Sequence, residues 1–316
     1  MDNFKYAFDN DLAKLQQNLD FIGIKDPKGK SLLHYAVLGS AMDVIDYLLN
    51  QDMDTNMIDQ SGETPLFDCV RKGKLLIAKK LINRFAKIDI SNSKNESLLH
   101  LACHKGDLDM VKLLLEHKAN LNALTTDDRL PIHYAILAGH VHIVNYLMDI
   151  SNASWFDLDQ SQNSFLHYAS RTTNVSLITL FIEKNLDVNA LNDQFETPLF
   201  NAVKFGTKET VLLLLKHDAY IELMNRRYET PLTLAKLNNQ SDIVELLKDW
   251  MISPNYIKLL QNQSLTVAVL NRDYTKLRQL LEQGNRLKKD RLKYTALDYA
   301  SKYKLTVCIN LLRPYA

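Results

Sequence analysis

The sequence predicts an all-α fold made of stacked helix–turn–helix repeats. A six-residue phrase, which reads Ser/Thr-x-Leu-His-x-Ala in its fullest form, recurs seven times along the chain. Its copies begin at a constant interval, which is lengthened by a single insertion between the fourth and fifth copies. A fixed period of this kind is typical of repeat architectures, in which each unit buries its apolar face against its neighbours. The first residues of the seven copies are Ser31, Thr64, Ser97, Leu130, Ser164, Thr197 and Thr230.

The phrase predicts the start of the first helix in each repeat. Thr or Ser followed by Pro, as in Thr64-Pro65, supplies an N-cap and then a first-turn proline. The leucine and the small Ala or Cys of the phrase face inward, where a neighbouring repeat comes close. One helical turn after the small residue, a glycine predicts the end of the helix. These glycines are Gly73, Gly106, Gly139 and Gly206.

A second helix follows in each repeat, with apolar residues at helical spacing as in residues 110–115. We expect this helix to end at a residue in the left-handed conformation, which favours Gly, Asn and Asp. The residues at this place are Asp52, Phe85, Lys118, Asn185, Asp218 and Gly284, of which Phe85 and Lys118 are unusual. A polar turn such as residues 59–63 then leads to the next phrase, as a hairpin finger would.

The two ends of the chain depart from the regular pattern. Residues 1–25 are predicted to be a degenerate N-terminal capping repeat, and residues 26–252 to be seven regular repeats. In residues 253–316, Ser253-Pro254 starts a fresh helix in place of a finger. Because Ala268 lies one full period after Ala235, we expect the stack to continue through this divergent region and its cap.

The period and the phrase resemble the ankyrin repeat, in register over residues 26–250 and more loosely beyond. The resemblance implies an ankyrin-repeat solenoid with short β-hairpin fingers. It also implies that partner proteins bind on the finger tips and on the exposed side of the first helices. The histidine of the phrase is then a structural residue that hydrogen-bonds the Ser or Thr at the helix start. The four histidines concerned are His34, His100, His133 and His167.

Motifs for catalysis or metal binding are missing from the sequence, so we expect no enzyme activity, no cofactor and no metal site. His140-Val141-His142 and Cys103-His104 are the compact potential metal pairs, but two ligands make a weak zinc site. Cys69 and Cys308 are predicted to be buried and inert. The three cysteines are far apart and odd in number, which fits a reducing compartment and a cytoplasmic location.

Charge and hydropathy exclude other classes of partner. The 316 residues carry a net charge of +1, which argues against nucleic acid binding. A basic run between Arg286 and Lys293 is interpreted as a solvated face. No stretch is apolar enough to predict a membrane span. We expect a monomer that binds a partner protein.

The predicted partner-binding surface lies on the fingers of the sixth and seventh repeats. There, the aromatic residues Phe195 and Tyr228 occupy the place of the turn glycine, and aromatic and arginine side chains on an exposed rim are common interface anchors. The alternative is that these side chains pack on one another and stabilise the stack. Trp155, in the insertion between the fourth and fifth copies, is a second candidate with packing as its alternative. The predicted residues are Trp155, Phe195, Lys204, Phe205, Arg226, Arg227 and Tyr228.

These observations favour a non-enzymatic scaffold or adaptor. The abundance of Asn, Lys and Ile, with many substituted turn glycines, resembles ankyrin proteins of AT-rich genomes, including effectors of intracellular bacterial pathogens. Such an effector would act in the host cytosol. The alternative is an enzyme, or a subunit that regulates an enzyme, with its site in residues 253–316. A deep pocket with convergent polar groups there, rather than another repeat, would favour this alternative.

Overall fold

The computed structural model describes residues 2–17, 23–151 and 154–316. The chain divides into two compact units, Met1–Asn152 and Ala153–Ala316. The division falls within residues 26–252 and coincides with the insertion in the repeat period. Each unit is built from helix pairs, and each is described by itself below.

The N-terminal unit is formed by helix pairs in which consecutive first helices pack on each other. Helix α1 packs on α3, which packs on α5, and the series continues through α7 to α9. The helices are α1 Asp2–Phe8, α2 Leu12–Gln16, α3 Leu32–Gly39, α4 Met42–Asn50, α5 Pro65–Lys72, α6 Leu75–Asn83, α7 Leu98–Lys105, α8 Leu108–Glu116, α9 Pro131–Leu137 and α10 Val141–Ile150.

The C-terminal unit begins with three helix pairs of the same kind, α11 to α16, and ends with two further pairs, α17 to α20. A short 3-10 helix, Arg313–Tyr315, follows α20. The helices are α11 Phe165–Ala169, α12 Val175–Glu183, α13 Pro198–Phe205, α14 Lys208–Lys216, α15 Pro231–Leu237, α16 Ser241–Met251, α17 Pro254–Leu270, α18 Tyr274–Glu282, α19 Ala296–Lys302 and α20 Thr306–Leu312.

The histidine of the phrase joins neighbouring repeats. The backbone N–H of Ser31 donates to Nδ1 of His34 over 3.0 Å, while Nε2 of the same ring lies 3.1 Å from the carbonyl oxygen of Glu63 in the next finger. His100 and His167 make the same pair of contacts. This confirms the structural role that the sequence predicts for these three residues.

Left-handed residues end the second helices, as the sequence predicts. Lys118 and Phe85 adopt φ values of +66° and +63°, although neither is a residue type that favours this conformation. Asp52, Asn185, Asp218 and Gly284 also have positive φ. The residue that follows each second helix therefore adopts the left-handed conformation even where its type does not favour it.

Each finger is a turn held by an Asp, Asn or Thr side chain rather than a pair of regular strands. In one finger, Oδ1 of Asp59 accepts from the backbone N–H groups of Ser61 and Glu63. Successive fingers are also joined by backbone hydrogen bonds, such as Arg226 N to Gln194 O at 2.9 Å. Among the described residues, strand pairing is limited to isolated bridges, of which Lys25–Ser31 is one.

The last two helix pairs do not extend the stack as the sequence led us to expect. Helix α15 packs on α13, whereas α17 packs on α18 and α19. The apolar residues of α17–α20 form a core with Leu191, Tyr220 and Leu223, which lie in the segments between earlier repeats. The physical reason is the distribution of apolar surface. Apart from Leu237, the exposed residues of the α15–α16 pair are mainly polar, while these three apolar side chains are removed from water by α17–α20.

Side chains of the C-terminal helices also satisfy backbone groups of those segments. The hydroxyl of Tyr303 accepts from the N–H of Leu191 over 2.9 Å. Asn271 accepts from the N–H of Met224 over 2.8 Å and donates to the carbonyl of Glu222 over 3.0 Å. Because an unpaired buried backbone group is costly, these contacts fix where α17–α20 lie within the unit.

Candidate partner-binding surface

The C-terminal unit brings together four of the predicted residues on two adjacent fingers. Phe195 and Tyr228 both adopt the left-handed conformation, with φ of +59° and +60°. The turn glycine is replaced in both fingers, and the backbone keeps the conformation that glycine would adopt. Arg226 and Arg227 precede Tyr228 and are exposed.

Phe195 and Tyr228 differ in their surroundings. The ring of Phe195 is partly buried, and the guanidinium of Arg226 lies 4.6 Å from its centroid. Tyr228 is 83% exposed. Phe195 therefore has a packing partner in Arg226 and keeps part of its ring exposed, whereas the Tyr228 ring gains little from packing.

A further arginine completes this surface, and the sequence prediction missed it. Arg272 lies in the turn that follows α17, and its guanidinium lies 3.3 Å from the centroid of the Phe195 ring. Arg272 has φ of +56° and lies one full period after Asn239, in the slot where first helices end. The selection of Phe195 and Tyr228 rested on aromatic residues at the turn-glycine place of the fingers. Arg272 lies instead at the end of a first helix, so that criterion did not include it.

Lys204 and Phe205 lie at the end of α13, and each has a partner. Nζ of Lys204 lies 2.5 Å from a carboxylate oxygen of Glu196, the residue after Phe195. The guanidinium of Arg171 lies 4.8 Å from the centroid of the Phe205 ring, and Phe205 is 54% exposed. Lys204 is therefore held beside the Phe195 finger by an ion pair, while about half of the Phe205 side chain stays exposed to solvent.

Trp155 is half-buried and packs away from the fingers. Its ring meets the edge of Phe181 at a centroid distance of 6.0 Å, and Nζ of Lys184 lies 5.2 Å from its centroid. Its neighbour Phe156 is 61% exposed. These contacts agree with the packing alternative for Trp155.

A pocket of about 500 Å³ lies within the C-terminal unit, between α17 and the segments that follow α12 and α14. Two of its carboxylates, those of Asp187 and Asp290, are engaged in contacts that hold the unit together. Asp187 lies 3.2 Å from Nζ of Lys302, and burial raises the pKa of the Asp187 carboxyl. Asp290 accepts from the hydroxyl of Tyr299 over 2.6 Å. The pocket is lined by Ile182, Asn185, Leu186, Asp187, Val188, Asn189, His217, Asp218, Tyr220, Leu259, Asn262, Gln263, Lys288, Lys289, Asp290, Arg291, Leu292 and Tyr299.

The cysteines and the remaining histidine pairs show structural surroundings. Cys69, Cys103 and Cys308 are free and buried, and burial raises the pKa of each thiol. Nε2 of His140 lies 3.0 Å from the carbonyl oxygen of His104, and Nε2 of His142 lies 3.3 Å from that of Gly106. The part of the chain that the structure describes holds no cluster of three metal-ligating side chains.

Within the described residues, no helix has both the length and the apolar character needed to cross a membrane.

The chain is similar in sequence to parts of longer proteins. It is 35% identical over 104 residues to the ARF GTPase-activating protein Git of Drosophila melanogaster, covering 33% of this chain and 14% of that protein. It is 25% identical over 241 residues to the transient receptor potential cation channel subfamily A member 1 of Homo sapiens, covering 75% of this chain and 19% of that protein. The chain thus spans less than a fifth of the length of either relative.

A solved structure and a family model agree on the fold. The human ASB11 ankyrin repeat domain superposes with a TM-score of 0.61 at 23% sequence identity, covering 71% of this chain and 100% of that domain. The family model for ankyrin repeats in three copies matches residues 5–92, 73–155 and 166–258, which together are well over half of the chain. Such repeats generally mediate protein–protein interaction and are generally not catalytic. The chain therefore belongs to the ankyrin-repeat family.

Proposed function

We propose that this chain is a non-enzymatic scaffold or adaptor that binds a partner protein through the fingers of its C-terminal unit. The binding residues are Phe195, Phe205, Arg226, Arg227 and Tyr228, with Lys204 positioning the first finger. Tyr228 carries the proposal, because it combines an unfavourable backbone conformation with a side chain that is 83% exposed. A non-glycine residue in the left-handed region costs about 1 kcal/mol, and strain without a packing gain is typical of functional positions.

Phe85 in the N-terminal unit is a rival position with the same two properties. Its φ is +63° and it is 87% exposed. The preceding arginine, however, is engaged, since Arg84 donates to the carbonyl of Leu49 and to the side chain of Asn50. Tyr228 instead follows two exposed arginines. Tyrosine and arginine together are frequent anchors of interfaces, so we favour the Tyr228 finger.

We favour a scaffold over an enzyme sited in residues 253–316 because that region forms two more helix pairs, α17–α18 and α19–α20. Two carboxylates of the pocket in this region, those of Asp187 and Asp290, are used in contacts within the unit. We further propose a cytoplasmic location, supported by three free, buried cysteines. Action on host proteins as a bacterial effector stays a prediction, which rests on the abundance of Asn, Lys and Ile and on the substituted turn glycines.

The test compares two matched glycine variants. Tyr228→Gly and Phe85→Gly each remove one exposed aromatic ring and relieve one left-handed backbone, so neither should unfold the protein. Proteins captured by the wild-type chain are identified by mass spectrometry, and the affinity of each purified candidate is measured. We expect Tyr228→Gly to weaken binding by about tenfold or more, and Phe85→Gly to change it by less than about twofold. Equal affinity of wild type and Tyr228→Gly, or a loss confined to Phe85→Gly, would overturn the proposal.

A further inference from the structure

The strongest unexplained feature is a pair of arginines that share one aromatic ring without a carboxylate partner. Arg226 comes from the seventh repeat and Arg272 from the turn after α17, yet both guanidiniums lie against Phe195, at 4.6 and 3.3 Å from its centroid. Their separation therefore cannot exceed the sum of those two distances. Arginine stays protonated in proteins, so two positive charges are held close together.

Two other half-buried cations in this fold, Lys30 and Lys204, are paired with carboxylates. Lys30 lies 2.9 Å from a carboxylate oxygen of Asp68, and Lys204 lies 2.5 Å from one of Glu196. Within residues 2–17, 23–151 and 154–316, neither Arg226 nor Arg272 forms an ion pair, although Arg272 is partly buried. The guanidinium of Arg272 donates to the carbonyl of Leu270 over 2.9 Å, which leaves most of its donors unused by an acceptor.

The two glutamates of the same fingers, Glu196 and Glu229, are already engaged. Glu196 accepts from Lys204 and from the side-chain amide of Asn225, which also donates to Glu229 over 2.9 Å. Burial lowers the pKa of the Arg272 guanidinium, and the charge of Arg226 lowers it further. The protein thus holds two like charges close together. Among the described residues no carboxylate forms an ion pair with either guanidinium, and this includes the exposed Asp193 of the Phe195 finger.

We infer that the Phe195 finger and the turn after α17 form one composite site for an acidic segment of a partner protein. Carboxylates of Asp or Glu in that segment supply the missing counter-charge, because a planar guanidinium binds a carboxylate through two parallel hydrogen bonds. Arg227 extends the charge along the finger, and Tyr228 offers an exposed ring to an apolar residue of the partner. This inference rests on the proposed function and adds the chemistry of the partner.

A protein segment fits this site better than nucleic acid. Nucleic acid recognition depends on many phosphate contacts along an extended basic surface. Here the chain has a net charge of +1, and two arginines are grouped around one aromatic ring, that of Phe195. Tyrosine and arginine side chains on a small rim are the composition of a protein interface. The site also requires residues 253–316, because Arg272 belongs to that region.

The test uses fluorescence anisotropy with labelled peptides and the full chain. The acidic probe is a fluorescein-labelled peptide of four Glu-Asp-Tyr triplets, and the neutral probe is the matching Gln-Asn-Tyr peptide. The variants Arg226→Gln and Arg272→Gln each remove one charge of the site, and Arg272→Lys keeps the charge without the planar group. Arg286→Gln is the matched control, since Arg286 is an exposed arginine of the same C-terminal region outside the site.

We expect the acidic peptide to bind at least about tenfold more tightly than the neutral peptide. Arg226→Gln and Arg272→Gln should each weaken it by about fivefold or more, Arg272→Lys should weaken it less than Arg272→Gln, and Arg286→Gln should leave it within about twofold. The inference fails if both peptides bind equally, or if Arg286→Gln has the same effect as the site variants. It also fails if a labelled uridine oligonucleotide binds more tightly with the same dependence on Arg226.

Failure here can be separated from failure of the proposed function. If Tyr228→Gly loses the purified partner while Arg226→Gln and Arg272→Gln retain it, the finger surface is the binding face and the acidic chemistry is wrong. If all three variants retain the partner, both proposals are wrong. Circular dichroism and thermal unfolding of each variant establish that the helices are intact before affinities are compared.

Discussion

The histidine of the repeated phrase is held neutral by its two hydrogen bonds. Its Nδ1 accepts from a backbone N–H, so it carries no proton, while Nε2–H donates to a carbonyl of the next finger, as in His167. Two repeats carry phenylalanine at this place, Phe67 and Phe200. In those repeats the hydroxyls of Thr64 and Thr197 are buried without a hydrogen-bond partner. The histidine therefore provides the hydrogen bonds that the phenylalanines replace with apolar packing.

A pH dependence follows from the surroundings of His167. Burial lowers its pKa to about 4 from an ordinary value of 6.5. The unfolded chain binds a proton below pH 6.5 and the folded chain does not, so stability is lost as the pH falls from 6.5 towards 4. Between pH 7 and 5, we expect the free energy of unfolding to fall by about 2 kcal/mol more in wild type than in His167→Phe or His167→Gln. Urea unfolding at both pH values measures this difference, and parallel losses in wild type and both variants would contradict it.

At the scale of the helix, the N-terminal capping helix α1 is in close contact with α3, the first helix of the first regular repeat. Helix α1 packs on α3 so closely that a Cβ atom on Gly39 would lie 1.8 Å from the carbonyl oxygen of Phe8. The absence of a side chain at Gly39 is therefore a packing requirement, while its backbone is ordinary. By contrast, a Cβ atom on Gly23 would meet nothing within 4 Å.

These two glycines give a matched pair of substitutions. Gly39→Ala should destabilise the N-terminal unit by about 1–3 kcal/mol, because α1 must move away from α3. Gly23→Ala should change the free energy of unfolding by less than about 0.5 kcal/mol. Thermal unfolding followed by circular dichroism measures both effects, and hydrogen exchange of α1 should increase in Gly39→Ala alone. Equal stability of the two variants would show that α1 does not pack as described.

At the scale of the whole molecule, residues 253–316 complete the C-terminal unit. They cover Leu191, Tyr220 and Leu223, and through Arg272 they contribute to the proposed partner site. The region that the sequence marked as divergent is thus part of the same core as the regular repeats before it. Its removal would expose apolar side chains that are at most 5% exposed in the full chain.

A truncation tests this arrangement. A chain of residues 1–252 should bind the dye ANS strongly and should unfold at a lower temperature than the full chain. The reason is that Leu191, Tyr220 and Leu223 become exposed to solvent when α17–α20 are removed. A chain of residues 1–312, which lacks the exposed 3-10 helix Arg313–Tyr315, is the control and should behave like the full chain. If residues 1–252 unfold at the same temperature as the full chain without binding ANS, the C-terminal helices do not share a core with Tyr220.

The sequence by itself determined the repeat period, the helix pairs, the left-handed helix ends and the hydrogen bond of the histidines to their own helix starts. These features depend on residues that are close together in the chain or one period apart. Local backbone geometry and packing between similar repeats fix the conformation of such residues. Only the tertiary structure decided where α17–α20 lie and that Arg272 joins the Phe195 finger. That outcome depends on apolar cover and on hydrogen bonds such as that between Tyr303 and Leu191, which are far apart in the chain and which no repeat pattern encodes.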